Sequence, residues 1–483
     1  LAFEDGHGKN TAVGWSALKN LNAGGNAYNT AVGNNAGRNM GVGTENTLVG
    51  AQSGDAITSG TQNIAIGVNA LGQETSGTYN VAVGREALKT QNGGTYNIGI
   101  GRTAGMLITT GVQNTIMGGN AGDALTDADY NVAVGYNALT ADTLGSRSVA
   151  VGTFTLVSQN FTTAANSYNI AVGYSAGNQI TTGQYNNLIG GLAGDALTEG
   201  RNNTAIGLES LTTDTKGSRS VAVGNSTLQN QNFATATESL NTAVGYEAGK
   251  LNTSARLSVL MGAFAGAGTM TANQNTLIGY AAGYNTVTLT SGFQNTLVGS
   301  NTHTSANNAE NQIVIGNNVQ GDGDNKFTFG SAGGKVVNSY TANNNWTQSS
   351  DERLKKDIQP DSLGLDFINE LRPVTFKWKP LSEIDSDFVE QSPDLGVVEL
   401  PDGSTVTKGE RDTVTIMHGL IAQEVKAAMD SVGNTTFNGW EDGNSGQSIS
   451  REMFVIPLIK AVQELSAQVT ALQTEIETLK SGG

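Results

Sequence analysis

The chain has 483 residues, and its 64 glycines, 6% aromatic and 14% charged residues exclude a thick globular core over most of its length. A formal charge of −16 disfavours nucleic acid or any other polyanion as a partner, and the lack of cysteine excludes disulfides and cysteine-ligated zinc. No apolar run reaches the about eighteen residues that a membrane-spanning helix needs, so no membrane insertion is expected.

Low charge with only 6 prolines argues against disorder as well, which leaves a repetitive, hydrogen-bonded architecture. A start at Leu1 with no signal peptide reads as a fragment of a longer polypeptide.

From Asn10 to Gly316 a pattern Asn-x-[AGLIV]-[VIM]-Gly recurs, with its glycine at 14, 33, 50, 67 and on to 316. Thirteen of the seventeen spacings are 17 residues, which is too short for a helical hairpin unit and carries no 3.6-residue apolar stripe. A longer echo of 72 residues brings GSRSVAVG at 145–152 back at 217–224, as a duplicated four-coil block would. Each unit offers a short β-branched run such as Val132-Ala133-Val134 before its glycine, which predicts one coil of a β-solenoid or β-roll. Strands stacked ~4.8 Å apart over eighteen coils make a rod on the order of 85 Å long.

The columns of this repeat have physical readings. Four residues before the glycine stands Asn in fourteen coils, where stacked amides can bond along the axis and satisfy turn backbone. The glycine allows a sharp corner or a close backbone approach. The inward residues are Val, Ile, Ala and Leu, too small for one thin roll to bury much, so three rolls packed as a homotrimer are expected. This stretch, residues 10–316, resembles the heads of trimeric autotransporter adhesins and the repeats of phage tail fibres; its motif specifies a shape and no chemistry.

Tyrosine stands five residues before the glycine at Tyr28, Tyr79, Tyr96, Tyr130, Tyr168 and Tyr185, and an aromatic follows it at Trp15, Tyr136, Tyr174, Tyr246 and Tyr280. Two readings stay open: a ladder covering the coil edge, or a stacking platform for host glycans on Tyr79, Tyr96 and Tyr130.

After Gly316 the period fails, and residues 317–349 read as a connector between a 1–316 shaft and a 350–483 domain. Its Gly321-Asp322-Gly323-Asp324-Asn325 lacks the downstream glutamate of a calcium loop and reads as a turn. His7, His303 and His418 share no metal-ligand spacing, so neither metal nor cofactor is expected.

From Ser350 the composition changes: charge rises, proline appears, and a mixed α+β pattern ends in a long helix. Leu458, Val462, Leu465, Val469, Leu472, Ile476 and Leu479 alternate at spacings of four and three, a coiled-coil seam within about residues 455–480. SDERLKKDI at 350–358, INELRPVTFKW, GLIAQEV and FVIPLIKAVQEL resemble, in that order, the endosialidase-type intramolecular chaperone domain of phage tail fibres and tailspikes. Residues 380–414 look like a variable insertion, and Arg451 stands where an aromatic is expected.

The resemblance implies a domain that trimerises the fibre, drives folding of the repeats and releases itself by one self-cleavage. The family's Ser-Asp-x-Arg-x-Lys motif falls on Ser350, Asp351, Arg353 and Lys355, with Ser349 as a neighbouring decoy. A serine–lysine dyad is chemically sound, since a neutral lysine can serve as base to a serine nucleophile. Lowering a lysine from ~10.4 to ~7 takes about 4–5 kcal/mol, which burial and neighbouring cations supply. Five residues on one helix lie about 140° apart, so Ser350 is expected in a turn, with a helix starting near Asp351 or Glu352.

The expected function is therefore a virion (phage tail) fibre or receptor-binding appendage whose chaperone domain leaves after assembly. The alternatives are a bacterial trimeric surface adhesin, expected to carry a membrane-anchor barrel, or a polysaccharide-depolymerising tailspike. For the latter, Asp123, Asp195, Glu199 and Glu209 form no convincing carboxylate pair along the sequence.

Overall fold

The computed structural model describes residues 8–482 except 269, 272, 285–287, 340–345, 348–351, 353–354, 392–395, 400–404, 409–412 and 444–445. The chain forms two compact units, Leu1–Ser349 and Ser350–Gly483.

The first unit is a β-solenoid, mainly β as the repeat predicts. Its strands are three residues long and stack in parallel, each coil on the next: Thr30–Val32 pairs with Thr47–Val49, which pairs with Ile64–Ile66, up to Ile313–Asn317. Register survives the longer coils, so Val149 still faces Ile170 across a spacing of 21 residues. The extra residues form a small second ladder of their own, Gly145–Ser146 against Ala165–Asn166.

The corner glycines have φ between +125° and +144°, a region closed to side chains, and a Cβ on Gly84 would lie 2.3 Å from the carbonyl oxygen of Gly101 in the next coil. Conformation and stacking thus demand glycine together. Five residues earlier the chain turns through the left-handed region in every coil, with φ of +48° to +64° from Tyr28 to Asn325. Non-glycine residues tolerate that strain because the ladder on both sides fixes the turn.

Core packing explains the four-coil echo. In the first fifteen coils, four residues after the corner glycine stands either Leu (Leu18, Leu71, Leu88, Leu139, Leu156) or Gly (Gly37, Gly54, Gly105, Gly122), in alternating pairs; the last three carry Gly283, His303 and Gln320. Where it is Gly, a large residue in the strand fills the space. Leu48 meets the positions a Cβ would take at Gly37 and Gly54, at 2.7 and 2.8 Å, and Leu188 does the same at Gly177 and Gly194. Ile116 and Leu260 stand in the same place in their blocks, and all four are fully buried. Within a block, a larger strand residue thus stands beside the smaller residue four after the corner.

The asparagine column forms the expected ladder. Asn63 donates from Nδ2 to the Gly77 carbonyl at 2.8 Å, and its Oδ1 accepts the Asn80 backbone N–H at 3.1 Å. Each buried amide thereby satisfies two backbone groups of the following coil. At Ser148 the shorter side chain cannot do this: the Asn169 N–H donates to Ser167 Oγ at 3.4 Å instead, and Gln159 bridges the side chains of the column. Its Nε2 donates to Ser148 Oγ at 2.8 Å and Asp142 Oδ2 at 2.5 Å, while its Oε1 accepts from Asn169 at 2.8 Å. Ser220, Gln231, Asp214 and Asn241 repeat the cluster.

The sheet does not stop at Gly316. Lys326–Ser331 pairs in parallel with Ile313–Asn317, placing Gly330 opposite Gly316, so a nineteenth, shorter coil follows. Gly334–Ser339 and Trp346–Thr347 then run antiparallel and cover the last edge. Asp322, in the Asp-Gly-Asp-Asn turn, pairs with Lys326 at 2.7 Å and Lys335 at 3.1 Å.

The second unit has helices α1 (Leu365–Glu370), α2 (Ser386–Gln391), α3 (Ala422–Ser431) and α4 (Val455–Ser481). A strand pair, Val374–Phe376 with Met417–Gly419, brings the ELRPVTF and HGL segments together. The core is small: Leu363, Phe367, Val425, Met429, Phe437 and Phe454, with the Phe437 and Phe454 rings edge to face at 5.0 Å. Glu464 of α4 accepts the Leu365 N–H at 2.7 Å and so caps α1, which holds its carboxyl below the usual range. Among the described residues no helix is long and apolar enough to cross a membrane.

Candidate functional site

The motif at the start of the second unit is only partly placed. Ser349, Ser350, Asp351 and Arg353 lie outside the described residues. Lys355 is exposed, and its backbone N–H donates to the Glu352 carbonyl at 3.0 Å, closing one turn. Glu352 lies in a 3-10 turn, while Asp351, Arg353 and Leu354 lie outside the described residues; from Lys355 to Leu363 no helix follows, and α1 begins at Leu365. Asp357 has a φ of +55° and Pro360 lies three residues on, both of which work against helix.

Near this segment in sequence, the second unit holds an open apolar pocket of about 410 Å³, lined among others by Leu371, Pro373, His418, Phe454 and Leu458. Arg451, the residue expected to be aromatic, lines it too. On α4, Leu458, Val462, Leu465, Val469, Leu472, Ile476 and Leu479 are all exposed, so the seam lies bare along a single chain.

On the shaft, Tyr79 and Tyr96 stack with ring centres 4.8 Å apart and planes 8° off parallel. Tyr130 belongs to a different stack. Arg147 occupies the same column, and its guanidinium lies 5.2 Å from the Tyr130 ring and 5.8 Å from Tyr168, which stacks on Tyr185 at 5.7 Å. Sequence reading missed Arg147, although its spacing of five before Gly152 marks it. The residues after the corner glycine form edge-to-face clusters, Tyr136–Phe154–Tyr174 and Tyr246–Phe264–Tyr280.

Three of the shaft acids have ordinary structural partners: Glu199 pairs with Lys216 at 2.9 Å, Asp123 accepts from Thr140, and Glu209 accepts from Gln229 at 2.7 Å. Asp195 differs, since its Oδ1 is buried without a hydrogen-bond partner among the described residues and burial pushes its carboxyl up. Two further acids stand out that sequence reading passed over. Asp142 and Asp214 are fully buried, and burial pushes both carboxyls up, while the Gln159 and Gln231 amides and backbone N–H groups pull them back. Their signal was the 17-residue Asp-to-Gln spacing, repeated after 72 residues. His303 is buried, its Nδ1 against the Asn301 carbonyl at 2.9 Å.

No curated protein and no solved structure matches the chain. Residues 350–434 match the family described as the chaperone of endosialidase. The match contains SDERLKKDI, INELRPVTFKW and GLIAQEV and ends before α4. The chain is a β-solenoid followed by a segment similar to the endosialidase chaperones.

Proposed function

We propose that the chain is the shaft of a trimeric, tail-fibre-type virion appendage, together with the chaperone that assembles it. The observation that carries this reading is the chaperone match beginning at Ser350, where the solenoid unit has ended. In this reading residues 350–483 bring three chains together and template the coils. Ser350 is then the nucleophile and Lys355 the base of a single self-cleavage. A hydroxyl reaches the preceding carbonyl through a five-membered ring, so the bond before Ser350 is the favoured one.

Trimerisation has support in the shaft itself. The third strand residue points away from the core and is apolar in every coil from Val13 to Ile315, exposed at Val13, Ile66, Met117, Ile189 and Met261 among others and half-buried at the rest, while the first is threonine or asparagine in half of these coils. Three residues wide and nineteen coils long, the whole strand face covers on the order of 900 Å². That matches the about 800 Å² per partner of a stable interface.

Denaturing gels of Ser350→Ala and Lys355→Ala test the cleavage: each should give one full-length band, while Ser349→Ala and the parent chain should give two. A Ser350→Ala chain processed like the parent removes the assignment.

A further inference from the structure

Two rows of side chains border the apolar strand face, one at the residue five before the corner glycine and one directly after it. Within one coil the two border residues are six apart in sequence, and the three-residue strand between them holds them at least ~10 Å apart. They do not belong to one contact within a chain. In six of the eighteen coils their chemistry nevertheless matches: Lys9 with Trp15, Tyr79 with Arg85, Tyr96 with Arg102, Tyr130 with Tyr136, Tyr168 with Tyr174, and Leu240 with Tyr246, whereas coils such as Glu45 with Ala51 or Tyr185 with Gly191 offer no such pair.

We infer that the two rows meet between chains, the leading border of one protomer against the trailing border of the next, coil for coil. The inference rests on the trimer reading above. Three equal faces closed around a threefold axis touch edge to edge, and cyclic symmetry makes each contact join unlike edges. Parallel chains set the same coil at the same height. Tyr96 of one chain then faces Arg102 of another, a cation over a ring, and Tyr130 faces Tyr136, a ring against a ring.

Exposure and stacking favour another protein over a sugar as the occupant. Tyr79, Tyr96, Tyr130, Tyr136, Tyr168 and Tyr174 are each about half exposed, at 45–59%. A sugar ring stacks on an aromatic face, but Tyr168 has Arg147 over it and Tyr185 stacked on it, and Tyr79 and Tyr96 cover each other. What these rings can offer a neighbouring chain is an edge to another ring or a remaining face to a cationic side chain. Arg102 is exposed, and among the described residues only its backbone carbonyl is bonded, to the Thr103 hydroxyl and the Asn120 N–H.

The chain has no cysteine, so a Tyr96→Cys, Arg102→Cys double variant carries the only thiols in the particle. Treated with a short bismaleimide, the native assembly should give a covalent three-chain species on a denaturing gel. Tyr96→Cys with Tyr246→Cys, many coils apart, should stay unlinked. Light scattering on the same samples separates the failures. A three-chain mass without matched linking overturns the seam and leaves the trimer standing; a one-chain mass sinks the trimer reading beneath it. Photo-oxidation of the unmutated assembly is the second readout. It should join Tyr130 to Tyr136 across chains, and dityrosine confined to Tyr79–Tyr96 would overturn the seam and return the remaining rings to a ligand such as a glycan.

Discussion

Leu48 fills the space left by Gly37: a methyl group added at Gly37 would lie 2.7 Å from Leu48 Cδ1. The two are matched parts of one core, although they belong to neighbouring coils. Leu48→Ala should therefore destabilise the shaft by about 2–5 kcal/mol, with both glycines unable to close the cavity. Gly37→Ala should also destabilise it. Backbone strain is the smaller part of that loss, since Leu18 holds the same position with a φ of +48°. Thermal unfolding of the two variants tests the pairing.

Asn114 donates to the Ala128 carbonyl at 2.8 Å and accepts the Asn131 N–H at 2.9 Å, both buried. Asn114→Ala leaves two backbone groups unpaired at about 1–3 kcal/mol each. Hydrogen exchange should rise in the coils on either side of Asn114 and stay unchanged ten coils away. A uniform rise along the shaft would contradict a ladder of neighbour-to-neighbour bonds.

Asp142 and Asp214 give the shaft a pH dependence. Their carboxyls are raised from 3.8 by burial. A carboxyl raised in the folded state contributes stability that is complete below the unfolded value and lost as pH rises through the folded one. The melting temperature attributable to these sites should therefore fall as pH rises above about 4, through the raised folded-state values. Asp142→Asn with Asp214→Asn should flatten that slope, and an unchanged slope would assign it to other groups.

The exposed seam of α4 should matter for assembly. Leu465→Asp with Leu472→Asp places charges where three helices are expected to meet. In the uncleaved Ser350→Ala background, light scattering should then fall from three times 49.8 kDa towards the single-chain mass. A full three-chain mass would show that the helix does not hold the chains together.

Much of the shaft was legible in the sequence because its columns repeat. The corner glycine, the asparagine ladder and the parallel stacking each follow from one residue type at one spacing. The coil at Lys326–Ser331 was not legible, since its glycine comes 14 residues after the last and breaks the period. The pairing of Gly37 with Leu48 was hidden for another reason: it is a relation of volumes between coils, which no single column shows. At the junction, the motif named Ser350 and Lys355 through a family resemblance. Between them Glu352 lies in a 3-10 turn, and Asp357 and Pro360 work against any longer helix.

Register across the long coils has an evolutionary consequence. Val149 still faces Ile170 when four residues are added at a corner, and whole blocks return after 72 residues with their packing intact. Such a shaft can grow or shrink by unequal recombination in steps of one block, each step four coils or ~19 Å. The Gly334–Ser339 hairpin and the second unit would be untouched by the change. Reach toward a surface is thereby separable from the machinery at the end of the chain, and selection can tune one without retuning the other.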